Sequence, residues 1–344
     1  VNETPSQPVA VKRPSVIPGD KPIAFSGIQP SGEIHVGNYL GAIRQWVDML
    51  GTHRCIFCIV DYHAITIDYD REGMQARIFE AAVANIAAGL DPERCILFVQ
   101  SKVPEHTELT WIFNTVTPMG ELGRMTQFKE KSQVHRDNIN VGLFDYPVLQ
   151  AADILLYKAT AVPVGEDQVQ HIELCREIAR KFNAKFGDVF PMAYPVLTAT
   201  RRVMGLDGKS KMSKSLGNHL GLLWGDEEII EKLRPAYTDP ARLRRSDPGN
   251  PDICNIFTMH TGFSPSAMIR ETDEACRKAG IGCFDCKKNL AASMTRVLTP
   301  VRQRAEELRK SPDRVRDVLN YGAALCQKIA EETMEEVRHA VGLR

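Results

Sequence analysis

The chain has 344 residues, with 43 Lys and Arg balanced by 43 Asp and Glu, and hydrophobic residues make up 43% of it. That length holds a full core and suggests two domains, while the zero balance excludes a global electrostatic pull toward nucleic acid. No run reaches the ~18 consecutive apolar residues of a membrane span, and nine cysteines, an odd number, point to reduced thiols and a cytoplasmic location.

Residues 1–20 carry prolines and charges without the apolar stretch of a secretory signal and are expected to form a loose tail. From about residue 22 to 200, short apolar runs alternate with longer amphipathic ones, the pattern of an α/β fold with a parallel sheet covered by helices. Residues 23–27 (IAFSG), 55–60 (CIFCIV) and 95–100 (CILFVQ) read as strands. Residues 39–50 and 74–90 read as helices, the latter closed by Gly89 and Pro92. After about Leu216 the strand signals stop, and residues 226–233, 265–280, 287–308 and 312–341 read as helices. There is no internal repeat. The expected organisation is an α/β nucleotide-type domain over 21–218 followed by an all-helical domain over 219–344.

Two stretches point to chemistry. In FSGIQPSGEIHVGNYLGAI, residues 25–43, a strand runs through a Gly/Pro/Ser-rich turn into a helix, a junction that offers free N–H groups to an anion. His35 and Asn38 place an imidazole and a carboxamide there, and Gly37 leaves room for a base or phosphate to approach. Alone, H-x-G-N is a weak signal, and a simply capped helix start is the bland alternative. In DGKSKMSKSLGN, residues 207–218, Lys209, Lys211 and Lys214 are interleaved with serines and glycines, as in a loop able to surround phosphate oxygens. Local basic clusters such as RLRRSD, residues 242–247, can also meet phosphates, although a charge run is more often solvated surface.

An H-x-G-H-like element at the first strand-to-helix turn, with K-M-S-K-S at residues 211–215, resembles the class I aminoacyl-tRNA synthetases, whose catalytic fold is Rossmann-like. Asn38 stands where the usual motif has histidine, and P-S-G-x-x-x-x-G-N is the form of the tryptophan-specific members. VDYHAIT (60–66), RMTQFKEKS (124–132), YPVLQAADILLY (146–157) and VPVGEDQVQHIEL (162–174) look similar to the same branch. The resemblance implies activation of L-tryptophan by ATP with Mg²⁺ and transfer to tRNA(Trp), by positioning and charge neutralisation. His35, Asn38, Gln29, Gly37, Met212 and Ser213 are then expected at the nucleotide, Asp167 at its ribose, and Lys211, Lys214 and Lys131 at its phosphates.

For tryptophan, the resemblance implies Asp153 as the acceptor of the indole N–H. An acid within AADILLYKA is costly to bury without such a partner. Val162, Val164 and Phe25 are expected around the ring, with Tyr146, Gln168 and His63 at the amino and carboxylate groups. Gln150 departs from the methionine common in the family and is similar to the Q-A-x-D of tyrosyl enzymes, so a tyrosine-specific synthetase stands as the alternative. A catalytically silent RNA-binding or redox-sensing relative is the rival from another class. The resemblance also implies a homodimer, with neither membrane nor DNA as a partner.

Cys254, Cys276, Cys283 and Cys286 follow a C-x21-C-x6-C-x2-C spacing. Four thiols suit tetrahedral zinc or an iron–sulfur cluster, and residue type does not separate them; four buried apolar residues are the bland alternative. The segment is similar to a subset of bacterial synthetases whose C-x22-C-x6-C-x2-C holds a [4Fe–4S] cluster in the anticodon-binding region, which implies a structural cluster here. Cys55 and Cys58 also form a C-x2-C, but a strand sends them to opposite faces.

Overall fold

The computed structural model describes residues 21–134, 138–198, 203–214 and 216–343, with the side chains at 130, 131 and 134 left out. The expected tail at 1–20, the Lys131 side chain and the last serine of K-M-S-K-S lie outside the described residues.

Five parallel strands form one sheet: β1 (Ile23–Ile28), β2 (Arg54–Ile59), β3 (Cys95–Val99), β4 (Ala161–Val164) and β5 (Tyr194–Leu197), in the order β3-β2-β1-β4-β5. The central strands are apolar on both sides because helices cover both faces. Cys55, Phe57 and Ile59 enter one core cluster while Ile56, Cys58 and Val60 enter the other. The two thiols of this C-x2-C therefore face opposite ways, as strand alternation requires. β1 stays in register with β2 along its whole length but with β4 only at Ala24↔Ala161. Farther along, Pro163 of β4 has no N–H to give, and the Ser26 hydroxyl donates to its carbonyl at 3.1 Å. The sheet thus opens where the strand order reverses.

The expected helix at 39–50 forms in two parts, a π-helical turn at Tyr39–Ile43 and an α-helix at Arg44–Met49. Such wide turns tend to occur beside functional sites. In the C-terminal half, helices occupy Asp226–Leu233, Ser266–Arg277, Cys283–Lys310 and Pro312–Val341, close to the ranges read from periodicity. Residues 283–310 pack their Leu290, Met294 and Leu298 into the same core cluster as Ala81 and Leu90. The last helix covers the free edge of the sheet: Val315 and Leu319 join one cluster, Ala323, Cys326 and Met334 the other. Its backbone lies so close to β3 that a Cβ at Gly322 would stand 2.1 Å from the Leu97 carbonyl oxygen, so only glycine fits there.

Candidate active site

The opening between β1 and β4 leads into a cleft of about 930 Å³. Phe25, Gln29, His35, Gly37, Asn38, His63, Tyr146, Gln150, Asp153, Val162, Val164, Asp167, Gln168, Lys211 and Met212 all line it.

His35 caps the turn Val36–Asn38: its Nδ1 accepts from the Asn38 N–H at 3.3 Å, and the Asn38 side-chain oxygen accepts from the His35 N–H at 3.1 Å. With Nδ1 used as an acceptor, a neutral ring must carry its proton on Nε2. Burial, with the charges of His219 and Lys211, lowers the His35 pKa to about 4. At neutral pH the imidazole is therefore an uncharged donor. A Cβ at Gly37 would press on this ring at 3.0 Å, so glycine keeps its face clear.

The second motif reaches the first through a short pairing of chain segments. Val36 N–H donates to the Leu220 carbonyl and Leu222 N–H to that of Ile34, each at 2.9 Å. Asn218 braces the loop from within: its side-chain oxygen accepts from the Ser213 N–H at 2.8 Å, and its amide donates to Asp207 at 3.0 Å and to the Lys211 carbonyl at 3.3 Å. Met212 is buried, whereas Lys211 is 57% exposed with its Nζ 3.7 Å from the Asp167 carboxylate. Lys214 has its stem against Gly32, and neither it nor Ser213 is among the residues lining the cleft.

On the opposite side, the helix Val141–Leu155 starts on Asn140, whose side chain accepts from the Leu143 N–H at 2.9 Å. Tyr146, Gln150 and Asp153 fall on one face of it at i, i+4 and i+7. Asp153 is 2% exposed and makes its bonds with three side chains. Oδ2 accepts from His63 Nε2 at 2.8 Å, and Oδ1 from Gln100 Nε2 at 2.6 Å and His106 Nδ1 at 2.7 Å. Burial alone would raise this carboxyl pKa, but the hydrogen bonds from His106 and His63 outweigh it and hold the group well below the usual carboxylate range. The floor of the cleft is thus an ionised acceptor. Tyr146 bonds His171 Nε2 through its hydroxyl at 3.0 Å, and Gln168 donates to Asp167 at 3.2 Å.

Away from the cleft, Cys254, Cys276, Cys283 and Cys286 line one small pocket with Arg242, Ile256 and Phe257. Arg242 Nη1 lies 3.8 Å from the sulfurs of both Cys276 and Cys283, and His260 Nε2 lies 3.5 Å from that of Cys286. Burial first, then the neighbouring thiols, pushes Cys286 up to about 12. Among the described residues no three His, Cys, Asp or Glu side chains converge closely enough to hold a single metal ion.

The sequence profile of a family described as tRNA synthetases class I (W and Y) matches residues 18–299. The chain belongs to this family. The synthetase is 52% identical to a tryptophan–tRNA ligase of Deinococcus radiodurans over 92% of its own length and 98% of the relative's. It is 44% identical to one of Wolinella succinogenes, covering 93% and 98%. A Campylobacter jejuni tryptophanyl-tRNA synthetase solved with ADP and tryptophan superposes with a TM-score of 0.81 at 35% identity, covering 93% of this chain and 99% of that one.

Sequence reasoning passed over several residues that shape the synthetase's cleft. Gln100 reads only as the end of a strand, and His106 lies in VPEHTEL, where nothing marks it as more than a helix residue. Asn218 and Asp207 flank the K-M-S-K-S loop, and their spacing across its glycines and serines was the one available hint.

Proposed function

We propose that this chain is a tryptophan–tRNA ligase: it activates L-tryptophan with ATP to tryptophanyl-adenylate, releases pyrophosphate, and passes the tryptophanyl group to tRNA(Trp). The observation that carries the reading is Asp153, an ionised acceptor at the floor of a cleft that also holds H-x-G-N and K-M-S-K-S residues. An indole needs apolar walls and one well-aimed acceptor; Phe25, Val162 and Val164 supply the walls. His63, Tyr146, Gln150 and Gln168 surround the rest of the amino acid.

Its carboxylate oxygen attacks the α-phosphorus, and the bond from that phosphorus to the pyrophosphate oxygen breaks. Charge gathers on the leaving pyrophosphate, where Lys211, Lys214 and Lys131 act as point charges. His35, through its Nε2–H, and Asn38 hold the nucleotide with Gln29, Gly37, Met212 and Ser213, while Asp167 accepts from the ribose. Mg²⁺ bound through the substrate phosphates would supply further neutralisation there. Pyrophosphate exchange driven by tryptophan and not by tyrosine is the expected result; exchange driven by tyrosine alone would overturn the reading in favour of the tyrosyl alternative that Gln150 raises.

The functional division follows the sequence, with residues 21–218 catalytic and 219–344 reading the anticodon, in the cytoplasm. Cys254, Cys276, Cys283 and Cys286 would hold a [4Fe–4S] cluster. Four thiols around one pocket support it. Zinc held tetrahedrally by the same four thiols is the alternative. Bound there, the cluster would tie the helices together and take no part in the acyl transfer. The assembly is a homodimer, for which the exposed Trp111, Met119 and Val141 on packed neighbouring helices are the support.

A further inference from the structure

We infer that His106 and Gln100 are positioning residues for amino-acid selection: they occupy Oδ1 of Asp153 from below and so leave Oδ2 as the oxygen that reads the indole N–H. The inference rests on the tryptophan reading of Asp153. An ionised carboxylate only accepts, with roughly two lone-pair directions on each oxygen. Oδ1 receives His106 Nδ1 at 2.7 Å and Gln100 Nε2 at 2.6 Å, which fills it. Oδ2 receives His63 Nε2 at 2.8 Å, which leaves one direction open.

Both lower donors are themselves fixed. Gln100 is fully buried, and its side-chain oxygen accepts from the Tyr62 N–H at 3.2 Å, which settles which way its amide points. His106 is fully buried, and because Asp153 can only accept, Nδ1 is the protonated nitrogen; Nε2 meets the Tyr157 hydroxyl at 2.7 Å. Tyr157 in turn faces the thiol of Cys326 on the last helix. The recognising carboxylate is thus braced by a row of buried groups that ends in the C-terminal half of the chain. Neither His106 nor Gln100 lines the cleft, so neither touches substrate.

The groups facing Asp153 are His63 from the Asp61–Ala64 turn, Gln100 after β3, His106 from the Glu105–Asn114 helix, Cys58 of β2, and Tyr157 just after its own helix, whose hydroxyl burial keeps neutral. Burial pushes the Cys58 thiol up, so it stays neutral and the donors decide the carboxylate's charge. Taking one away lets burial pull its pKa upward. In a variant without the His106 donor, kcat/KM for tryptophan should therefore fall at a higher pH on the acid side than in the parent.

The test uses His106→Leu, which removes the donor, and His106→Asn, whose amide nitrogen stands near the place of Nδ1. Pyrophosphate exchange is measured with tryptophan and with the analogue in which sulfur replaces the indole N–H. His106→Leu should raise the KM for tryptophan roughly tenfold, as expected when a charged acceptor loses a donor. It should narrow the preference for tryptophan over the sulfur analogue, shift the acid limb upward and leave the KM for ATP unchanged. His106→Asn should restore most of the loss. Equal losses for both amino acids with an unmoved acid limb would show a merely structural residue and overturn the inference. If His106→Leu does not fold, Gln100→Met removes the other Oδ1 donor at similar volume, and the same outcomes decide. Asp153→Asn separates the two readings: an unchanged tryptophan KM there would remove the tryptophan reading itself, whereas a raised one with a parental His106→Leu would remove only this inference.

Discussion

Asp153 shows how one side chain can be costly and specific at once. A charge nearly cut off from water is tolerated only when hydrogen bonds replace hydration, and His63, His106 and Gln100 provide them. Each charge-assisted bond is worth about 1.5–3 kcal/mol. Replacing Asp153 by alanine should therefore lower kcat/KM for tryptophan by roughly 10- to 100-fold, while ATP binding, followed by fluorescence titration, survives. His35 carries a different lesson, about pH. Its folded pKa of about 4 lies below the unfolded value of 6.5, so between those values the unfolded chain binds a proton that the folded chain refuses. The stability this residue contributes is complete above pH 6.5 and is lost as the pH falls toward 4. Urea midpoints should decline over that window in the parent and decline less in His35→Gln.

At the level of elements, helical spacing explains why Tyr146, Gln150 and Asp153 meet one cleft, since residues four and three apart share a face. The K-M-S-K-S loop reaches that cleft by another route, because residues 220–222 pair with residues 34–36 in extended fashion. Asn218 sets the loop's shape through the Ser213 N–H, the Asp207 carboxylate and the Lys211 carbonyl. Asn218→Ala should lower kcat for pyrophosphate exchange by about tenfold through lost positioning of the lysines, with a small effect on the KM for tryptophan. At Gly322 the last helix comes so close to the sheet that no side chain fits between them. Gly322→Ala should cost about 1–3 kcal/mol, read as a lower urea midpoint, because the helix must move off β3 to admit a methyl group.

Across the whole molecule, the last helix and residues 283–310 share core clusters with the parallel sheet, so the C-terminal half is packed into the α/β half. The proposed cluster sits apart from the cleft, and the two cavities have no residue in common. Removing iron by chelation under reducing conditions should therefore leave tryptophan-dependent pyrophosphate exchange within about twofold while lowering tRNA charging and the thermal midpoint. Anaerobic protein should show a broad absorption band near ~400 nm with about four irons and four sulfides per chain. One zinc per chain and no colour would replace the cluster with a zinc staple.

The strand and helix positions were legible in the sequence because apolar periodicity follows directly from burial on one or both faces. The two nucleotide motifs were legible only together, through the family their combination resembles, because each alone also fits a capped helix start or a solvated loop. Asp153 could be singled out because the resemblance implies the indole acceptor at its position, and an acid in an apolar helix demands a partner. Which partners it has could not be read, since His106 and Gln100 reach it from separate elements and nothing local marks either one. The convergence of H-x-G-N with K-M-S-K-S likewise depended on chain pairing between segments about 185 residues apart. Local patterns record what a residue does within its own element; contacts across elements arise only when the sheet order and the helix packing have fixed which surfaces meet.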